Sequence, residues 1–219
     1  MVTESSAQRR ALRDPDVRLM LEVREDSASA FEELMLRYQG RLVTVLEHLV
    51  NNRDQAEDLT QEVFLRVYRA RKRYVPGAKF STWLYTIANN VACNALRSKS
   101  RRREVNLEVR ESGPMGARPL EGMLQTSSGQ IPARQLAKAE MRDVVRMALE
   151  VLNERQRLAV LLNKFEGMSY ADIAETMEIT PQATKSLLSR ARANLREVLE
   201  PYLERGDRPA STDRASPQT

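Results

Sequence analysis

Positive charge and aromatic rings occur together in the segment from Arg66 to Arg103, which contains no acidic residue. Lysine and arginine contact phosphates and aromatic rings stack on bases, so this combination is typical of proteins that bind separated nucleic-acid strands. In the alternative interpretation the rings are core anchors and the charges form a solvated face. The segment as a whole favours nucleic acid. Its aromatic and amide members are Tyr68, Tyr74, Phe80, Trp83, Tyr85, Asn89, Asn90 and Asn94.

The stretch just before it has the opposite charge, with no basic residue from Asp54 to Leu65. Asp54, Asp58, Gln61 and Glu62 follow helical spacing, which puts most of them on adjoining faces of one helix. Such a strip can dock on a basic protein surface. The alternative is a nuclease-like magnesium site, but one short helix supplies a strip rather than a converging cage. Acidic residues stabilise the first turn of a helix, which accounts for the acidic residue at Asp54 but not for the one at Glu62.

A third stretch, SYADIAETMEITPQATKSLLSRARANL, has the spacing of a helix-turn-helix. Thr180 is the expected cap and Pro181 the first residue of the second helix. Packing of the apolar positions leaves five side chains exposed near the start of that helix, where they can enter a major groove. These five are Gln182, Lys185, Ser186, Ser189 and Arg190. The alternative is an ordinary helical hairpin with a basic face.

Composition excludes several classes of protein. Cys93 is the only cysteine and His48 the only histidine, so one chain can build no disulfide, no Cys/His zinc site and no Ser-His or Cys-His dyad. The net charge of +5 agrees with a polyanionic partner but does not prove one. The sequence has no apolar run that could cross a membrane and no signal peptide at MVTESSAQRR, so we expect a cytoplasmic protein without metal or other cofactor.

The elements that carry these stretches are predicted to be helices only, in two small domains joined by a flexible linker. Helix-forming residues dominate, glycine is scarce and apolar residues recur at helical spacing. Between the two patterned parts the periodicity fails and Gly, Pro and Ser accumulate. The expected division is a disordered N-terminus at 1–14, a first domain at 15–103, a linker at 104–134, a second domain at 135–204 and a disordered tail at 205–219.

Five blocks together give the chain a resemblance to the extracytoplasmic-function sigma factors of the sigma-70 family. They occur in the family's order and at its separations over about residues 15 to 203. A helix-turn-helix alone is a weak signal, but the five blocks together are specific. The blocks are AFEELMLRYQGRL, DQAEDLTQEVFLRVYRA, FSTWLYTIANNVACNALR, LNERQRLAVLLNKFEGMSYADIAETM and ATKSLLSRARANLREVL.

The resemblance implies that sigma region 2, in the first domain, binds RNA polymerase core and the minus-ten promoter element. Its acidic helix, with Asp54, Asp58, Gln61 and Glu62, would grip the clamp coiled coil of the polymerase. The following loop and helix would bind the non-template single strand, with Asn90 at the position of a flipped-base contact. The residues assigned to this strand are Tyr74, Lys79, Trp83, Asn90, Asn94 and Arg97.

The resemblance also implies that the second domain is sigma region 4, which reads the minus-thirty-five duplex with Gln182, Lys185, Ser186, Ser189 and Arg190 and meets the polymerase flap. Gln182, Ala183 and Thr184 depart from a frequent Gly-Thr-Val, and Leu187 replaces a frequent arginine, so the family's base preference is not carried over to this chain. The family also introduces an anti-sigma factor as a candidate partner. Region 3 has no counterpart, and the linker takes its place.

The sequence thus predicts a protein without catalytic chemistry that acts by differential binding and captures unpaired promoter bases. Two rivals stay open. One is a stand-alone regulator that uses only the helix-turn-helix and binds an operator without polymerase. The other is a metal-dependent nuclease built on the acidic strip.

Overall fold

The computed structural model describes residues 13–110 and 133–205, and these residues form helices and connecting turns without a strand. The prediction of an all-α fold is therefore confirmed. A short 3-10 turn, Arg71–Arg73, follows the third helix. The helices are α1 (Pro15–Arg24), α2 (Ala28–Val50), α3 (Arg53–Ala70), α4 (Phe80–Arg110), α5 (Ala133–Glu150), α6 (Glu154–Lys164), α7 (Tyr170–Thr176) and α8 (Pro181–Arg205).

Side-chain caps set the starts of several helices. Asn52 caps α3, because its extended backbone aims its side-chain oxygen at the backbone N–H of Gln55, 2.7 Å away. Asp54 therefore lies in the first turn of α3 and is exposed. Helix α4 begins at Phe80, whose N–H donates to the Asp14 carboxylate at 3.1 Å.

The N-terminal module, α1 to α4, is built around a continuous apolar core. The side chains of Met20, Leu34, Leu42, Leu46 and Leu84 are completely or almost completely buried there. Each fully buried aliphatic side chain contributes about 1.5–3 kcal/mol to folding, so this core holds the four helices in fixed positions.

The C-terminal module, α5 to α8, is smaller and ends in the predicted helix-turn-helix. Leu161, Ile173 and Leu188 form its centre. Thr180 caps α8 as expected, accepting from the backbone N–H of Ala183 at 3.1 Å, and Pro181 is the first helical residue. Gly167 makes the turn between α6 and α7 at φ +64°, a backbone conformation that glycine adopts without a steric penalty.

The two modules pack against each other. The start of α4 lies against α7 and the end of α2 against α6, and one apolar cluster runs through both modules. Helix α4 continues to Arg110, and α5 begins at Ala133. Most of the linker expected at 104–134, and nearly all of the two expected disordered ends, lie outside the described residues.

Candidate polymerase and nucleic-acid interfaces

The acidic strip lies on the surface of α3. Asp54, Asp58 and Gln61 are exposed, and Glu62 is partly exposed and accepts a 2.7 Å hydrogen bond from Arg66 one turn later. The strip ends there, because α3 turns basic from Arg66 onward. Helix α3 therefore presents carboxylates that a basic partner can reach.

Beside this strip is an apolar groove of about 840 Å³ between α2 and α3, which the sequence reading missed. Leu36 is 74% exposed and Leu65 is 50% exposed, which is unusual for large aliphatic side chains on a packed helix pair. Glu57 and Gln61 stand at the wall of the same groove. The sequence feature that could have revealed this groove is that Leu36 and Leu65 fall outside the buried stripes of their helices. An apolar groove next to acidic side chains suits a helical partner that carries both apolar and basic groups.

Four of the residues assigned to single-stranded DNA form one stripe on α4. The intervals between Trp83, Asn90, Asn94 and Arg97 are seven, four and three residues. Because these intervals are close to whole numbers of helical turns, the four side chains lie on the same face of α4. Asn90, Asn94 and Arg97 are exposed, and Trp83 is half-buried. At a rise of ~1.5 Å per residue the stripe is ~21 Å long, which accommodates several nucleotides. The loop before α4 places exposed Lys79 at one end of this stripe.

Most of the aromatic rings of the basic segment belong to the core and not to a stacking surface. Phe80 and Tyr85 are 0% and 1% exposed, and Tyr74 is 4% exposed. Tyr74 packs edge-on against Trp83 with 4.8 Å between ring centroids, so it supports Trp83 from behind. Tyr68 lies elsewhere, lining the groove on α3 under the guanidinium group of Arg71. Of these rings, Trp83 remains available to a base at the start of α4.

Burial explains the pKa values of these phenols. Burial, with the nearby charge of Asp14, raises the pKa of Tyr74 well above its ordinary range. Burial also raises the pKa of Tyr85, with a further contribution from the carboxylate of Glu166. Both phenols are neutral at physiological pH and act through packing.

The helix-turn-helix presents a basic and hydroxylic face on α8. Gln182, Lys185, Ser189 and Arg190 are exposed, and Ser186 is partly exposed. These positions recur at helical spacing near the start of α8, as a helix that enters a major groove requires. Leu187 is half-buried and packs against the core at the edge of this face, beside Ser186 and Arg190.

A half-buried arginine, Arg157, ties the turn between α5 and α6 to the N-terminal module. The guanidinium group of Arg157 donates to the carbonyls of Leu149 (2.8 Å), Glu150 (3.1 Å) and Leu152 (3.1 Å), and across the module boundary to His48 (3.2 Å). Burial lowers the pKa of Arg157, but an arginine in this range stays charged. The sequence reading did not single out this residue, because the carbonyls that it binds are brought together only by the fold.

Metal binding and membrane insertion receive no support from the described residues. No group of three or more His, Cys, Asp or Glu side chains in 13–110 and 133–205 is arranged to hold a metal ion. Over the same part of the chain, no helix is both long and apolar enough to span a bilayer.

Comparison with known proteins identifies both modules. The chain matches the family model of sigma-70 region 2 over residues 34–102 and that of sigma-70 region 4 over residues 142–195. It is 31% identical to the RNA polymerase sigma-H factor of Pseudomonas aeruginosa over 190 residues, which cover 87% of this chain and 96% of that relative. The chain belongs to the extracytoplasmic-function sigma factors. It is therefore an alternative sigma factor for promoter recognition and transcription initiation.

Further relatives of this sigma factor agree. The ECF RNA polymerase sigma-E factor of Escherichia coli K12 is 31% identical over 193 residues, which cover 85% of this chain and 95% of that protein. Among solved structures, CnrH in complex with the cytosolic domain of CnrY shares the fold with a TM-score of 0.61. The two sequences are 20% identical, and the match covers 85% of this chain and 98% of that chain. The sigma factor RpoE of Bartonella quintana, in complex with the anti-sigma factor NepR, is 25% identical over 78% of this chain and 96% of that chain, with a TM-score of 0.56.

Proposed function

We propose that this sigma factor divides promoter recognition among three surfaces. Helix α3 and its groove bind the clamp coiled coil of core polymerase, the exposed stripe of α4 binds the unpaired minus-ten strand, and the start of α8 reads the minus-thirty-five duplex. The observation that carries the proposal is the segregation of charge. Acidic and basic faces lie on successive helices, and most of the residues that the family motif assigns to them are exposed.

The polymerase contact combines charge and apolar burial. Asp54, Asp58, Gln61 and Glu62 give the electrostatic complement to a basic coiled coil, which favours fast association and a fixed orientation. Leu36 and Leu65 add the buried apolar contact, which commonly dominates binding energy at the centre of an interface. The strip alone would bind weakly, because exposed ion pairs contribute little each.

The minus-ten contact favours the open promoter because α4 binds a base only after it has left the duplex. Asn90, with both a donor and an acceptor, reads the exposed edge of such a base, while Trp83 stacks and Arg97 contacts phosphate. Asn94 extends the same stripe, and Tyr74 supports Trp83. Binding energy available only to separated strands shifts the equilibrium towards opening, so that the protein itself needs no catalytic group.

The minus-thirty-five contact is duplex readout by α8. Lys185 and Arg190 neutralise phosphates or pair with guanine, and Gln182, Ser186 and Ser189 supply donors and acceptors of shorter reach. Leu187 packs against the core at the edge of this face, so these polar contacts to bases fall to its neighbours. The outer surface of this module is the proposed contact with the polymerase flap.

The proposal also covers partners and location. The factor acts in the bacterial cytoplasm, where polymerase and promoter DNA are found. An anti-sigma factor is a proposed regulatory partner. Its support is that two structural neighbours, CnrH and the Bartonella RpoE, were solved in complexes with CnrY and with the anti-sigma factor NepR.

Transcription with purified core polymerase tests the division of labour. Charge reversal by Asp58→Lys together with Glu62→Lys should abolish co-purification with core, whereas Asn90→Ala with Arg97→Ala should retain core binding and lose promoter opening, measured by permanganate reactivity of unpaired thymines. Equal loss of core binding in both variants would contradict the proposal. Tight, specific DNA binding without polymerase would favour the stand-alone regulator, and magnesium-dependent DNA cleavage would favour the nuclease.

A further inference from the structure

A shallow hollow of about 370 Å³ lies in the C-terminal module, between the first turns of α6 and the first half of α8. Apolar and polar side chains share its lining, which consists of Arg155, Ile179, Ala183, Ser186, Leu187 and Arg190. The proposed readout of the minus-thirty-five duplex uses some of the polar members of this lining. It leaves the apolar members without a role.

The hollow adjoins the face of α8 that is proposed to read DNA. Ser186 and Arg190 belong both to that face and to the hollow. Ala183 and Leu187 lie one helical turn apart beside them, between the reading face and the buried side of the helix at Leu188. A duplex that contacts Ser186 and Arg190 is therefore brought against the apolar part of the hollow as well.

The charge around the hollow favours a polyanion over a protein partner. Arg155 and Arg190 are both exposed, and the described residues that line the hollow include no carboxylate. Arg155 belongs to α6, so the cationic groups come from two different helices. Guanidinium groups in this arrangement can contact the phosphate backbone while a base edge lies between them.

The apolar surface of the hollow is open to such a base. Ala183 is exposed, and Ile179 and Leu187 are partly exposed. In the major groove thymine presents a methyl group, whereas the other bases present hydrogen-bond donors or acceptors at the corresponding edge. A donor or acceptor that is pressed against apolar side chains loses its water without gaining a partner, but a methyl group has no such bond to lose. The hollow therefore suits thymine.

We propose that the hollow takes the C5-methyl group of a thymine in the minus-thirty-five duplex, with Leu187 as a specificity-determining residue and Arg155 as a contact to the adjacent phosphate backbone. The inference rests on the proposed function, in which α8 reads this duplex. Burial of one methyl-sized group corresponds to a preference of about fourfold for thymine over uracil, which lacks the methyl group.

Replacement of thymine by uracil tests the inference, because the two bases differ only in this methyl group. The full-length chain with core polymerase first selects its minus-thirty-five sequence from a duplex library that is randomised over both promoter elements. Each thymine of the selected element, on either strand, is then replaced by deoxyuridine, and the affinity of the holoenzyme is measured by competition. Replacement at one thymine should weaken binding about fourfold, and replacement in the spacer should leave it unchanged.

Substitutions in the chain then connect this preference to the hollow. Leu187→Gln keeps the size of the side chain and removes its apolar surface, so it should bind the thymine and uracil duplexes equally. Leu195→Gln is the matched control, because this partly buried leucine lies further along α8 and outside the hollow, and it should keep the preference for thymine. Arg155→Ala should weaken binding to both duplexes by the same factor, since a phosphate contact does not distinguish bases. The ratio of the two affinities does not depend on the fraction of folded protein.

A wild-type holoenzyme that binds every uracil-substituted duplex as tightly as the thymine duplex would overturn the inference. A Leu187→Gln chain that still prefers thymine at the same position would also overturn it. So would loss of core binding by a folded Leu187→Gln chain, which would assign the hollow to a polymerase contact. Failure of α8 as the duplex reader would appear separately, as unchanged duplex affinity of Lys185→Ala.

Discussion

The ammonium group of Lys79 lies 3.0 Å from a carboxylate oxygen of Asp172, although the two residues are 93 positions apart and belong to different modules. The same carboxylate accepts from the backbone N–H of Ser169 at the start of α7. Burial alone would raise the pKa of Asp172, but hydrogen bonds from Ser169 and Lys79 lower it, so the carboxylate is ionised when the modules are docked. Asp172 thus stabilises the start of α7 through Ser169 and binds the loop before α4 through Lys79.

The coupling between these two residues should be small and sensitive to salt. The Lys79 side chain is 58% exposed, so its pair with Asp172 is expected to contribute about 0.5–1 kcal/mol at low ionic strength and less at high salt. A double-mutant cycle with Lys79→Met and Asp172→Asn, followed by urea unfolding, measures this and cancels the loss of the α7 cap. A coupling of zero at low salt would show that the contact does not contribute in solution.

Polymerase binding should depend on an exposed leucine. Leu36→Ser should weaken the affinity for core about tenfold or more, because it removes an apolar anchor from the groove beside α3. It should change the free energy of unfolding by less than about 0.5 kcal/mol, since the side chain is exposed. Leu34→Ala, two positions earlier and 1% exposed, is the matched control, expected to cost about 2–5 kcal/mol of stability. Fluorescence anisotropy with labelled chain and core gives the affinity. Unchanged binding by Leu36→Ser would remove the groove from the interface.

The affinity for duplex DNA, and its dependence on salt, should depend on the basic side chains of α8. Replacement of Lys185 by alanine should weaken binding of the holoenzyme to minus-thirty-five DNA and reduce the slope of log affinity against log salt by about one, if the residue contacts a phosphate. If Arg190→Ala alters the base preference and leaves the salt slope unchanged, Arg190 reads a base rather than a phosphate. Lys164→Ala, at the exposed end of α6, should change neither quantity. A salt slope unaffected by both α8 variants would argue against this face.

The stability of the docked chain should fall in mild acid because of His48. Burial lowers the pKa of His48 below its ordinary value of 6.5, Glu47 acts in the opposite direction, and the charges of Arg146 and Arg157 lower it further. Because the unfolded state then binds the proton more readily, the stabilisation is complete above pH 6.5 and is lost as the pH falls below that value towards the depressed pKa. Urea unfolding between about pH 8 and about pH 5 should show a loss of stability in wild type that His48→Gln lacks. Identical pH profiles would exclude His48 as the cause.

Local patterns in the sequence were sufficient to predict the helices. The spacing of apolar residues, the cap at Thr180 and the proline at 181 predict the helix-turn-helix, because each is decided within a few residues of chain. The acidic strip on α3 was predictable for the same reason. A charge on a helical face stays exposed unless another element covers it.

The division of the aromatic rings could not be predicted in this way. Tyr68 and Tyr74 are both tyrosines in the same basic segment, yet Tyr68 lines an open groove and Tyr74 is buried. The difference depends on which helices cross above them, a relationship between residues distant in sequence. The packing of the two modules against each other could not be predicted for the same reason. Arg41 and Glu166, which pair between the modules, are 125 positions apart.

The single thiol of the chain reports on the position of region 4. Cys93 lies on α4 between Asn90 and Asn94, is partly shielded, and lines the groove shared with the C-terminal module. Its rate of alkylation therefore measures how often the natural, unlabelled protein exposes that groove.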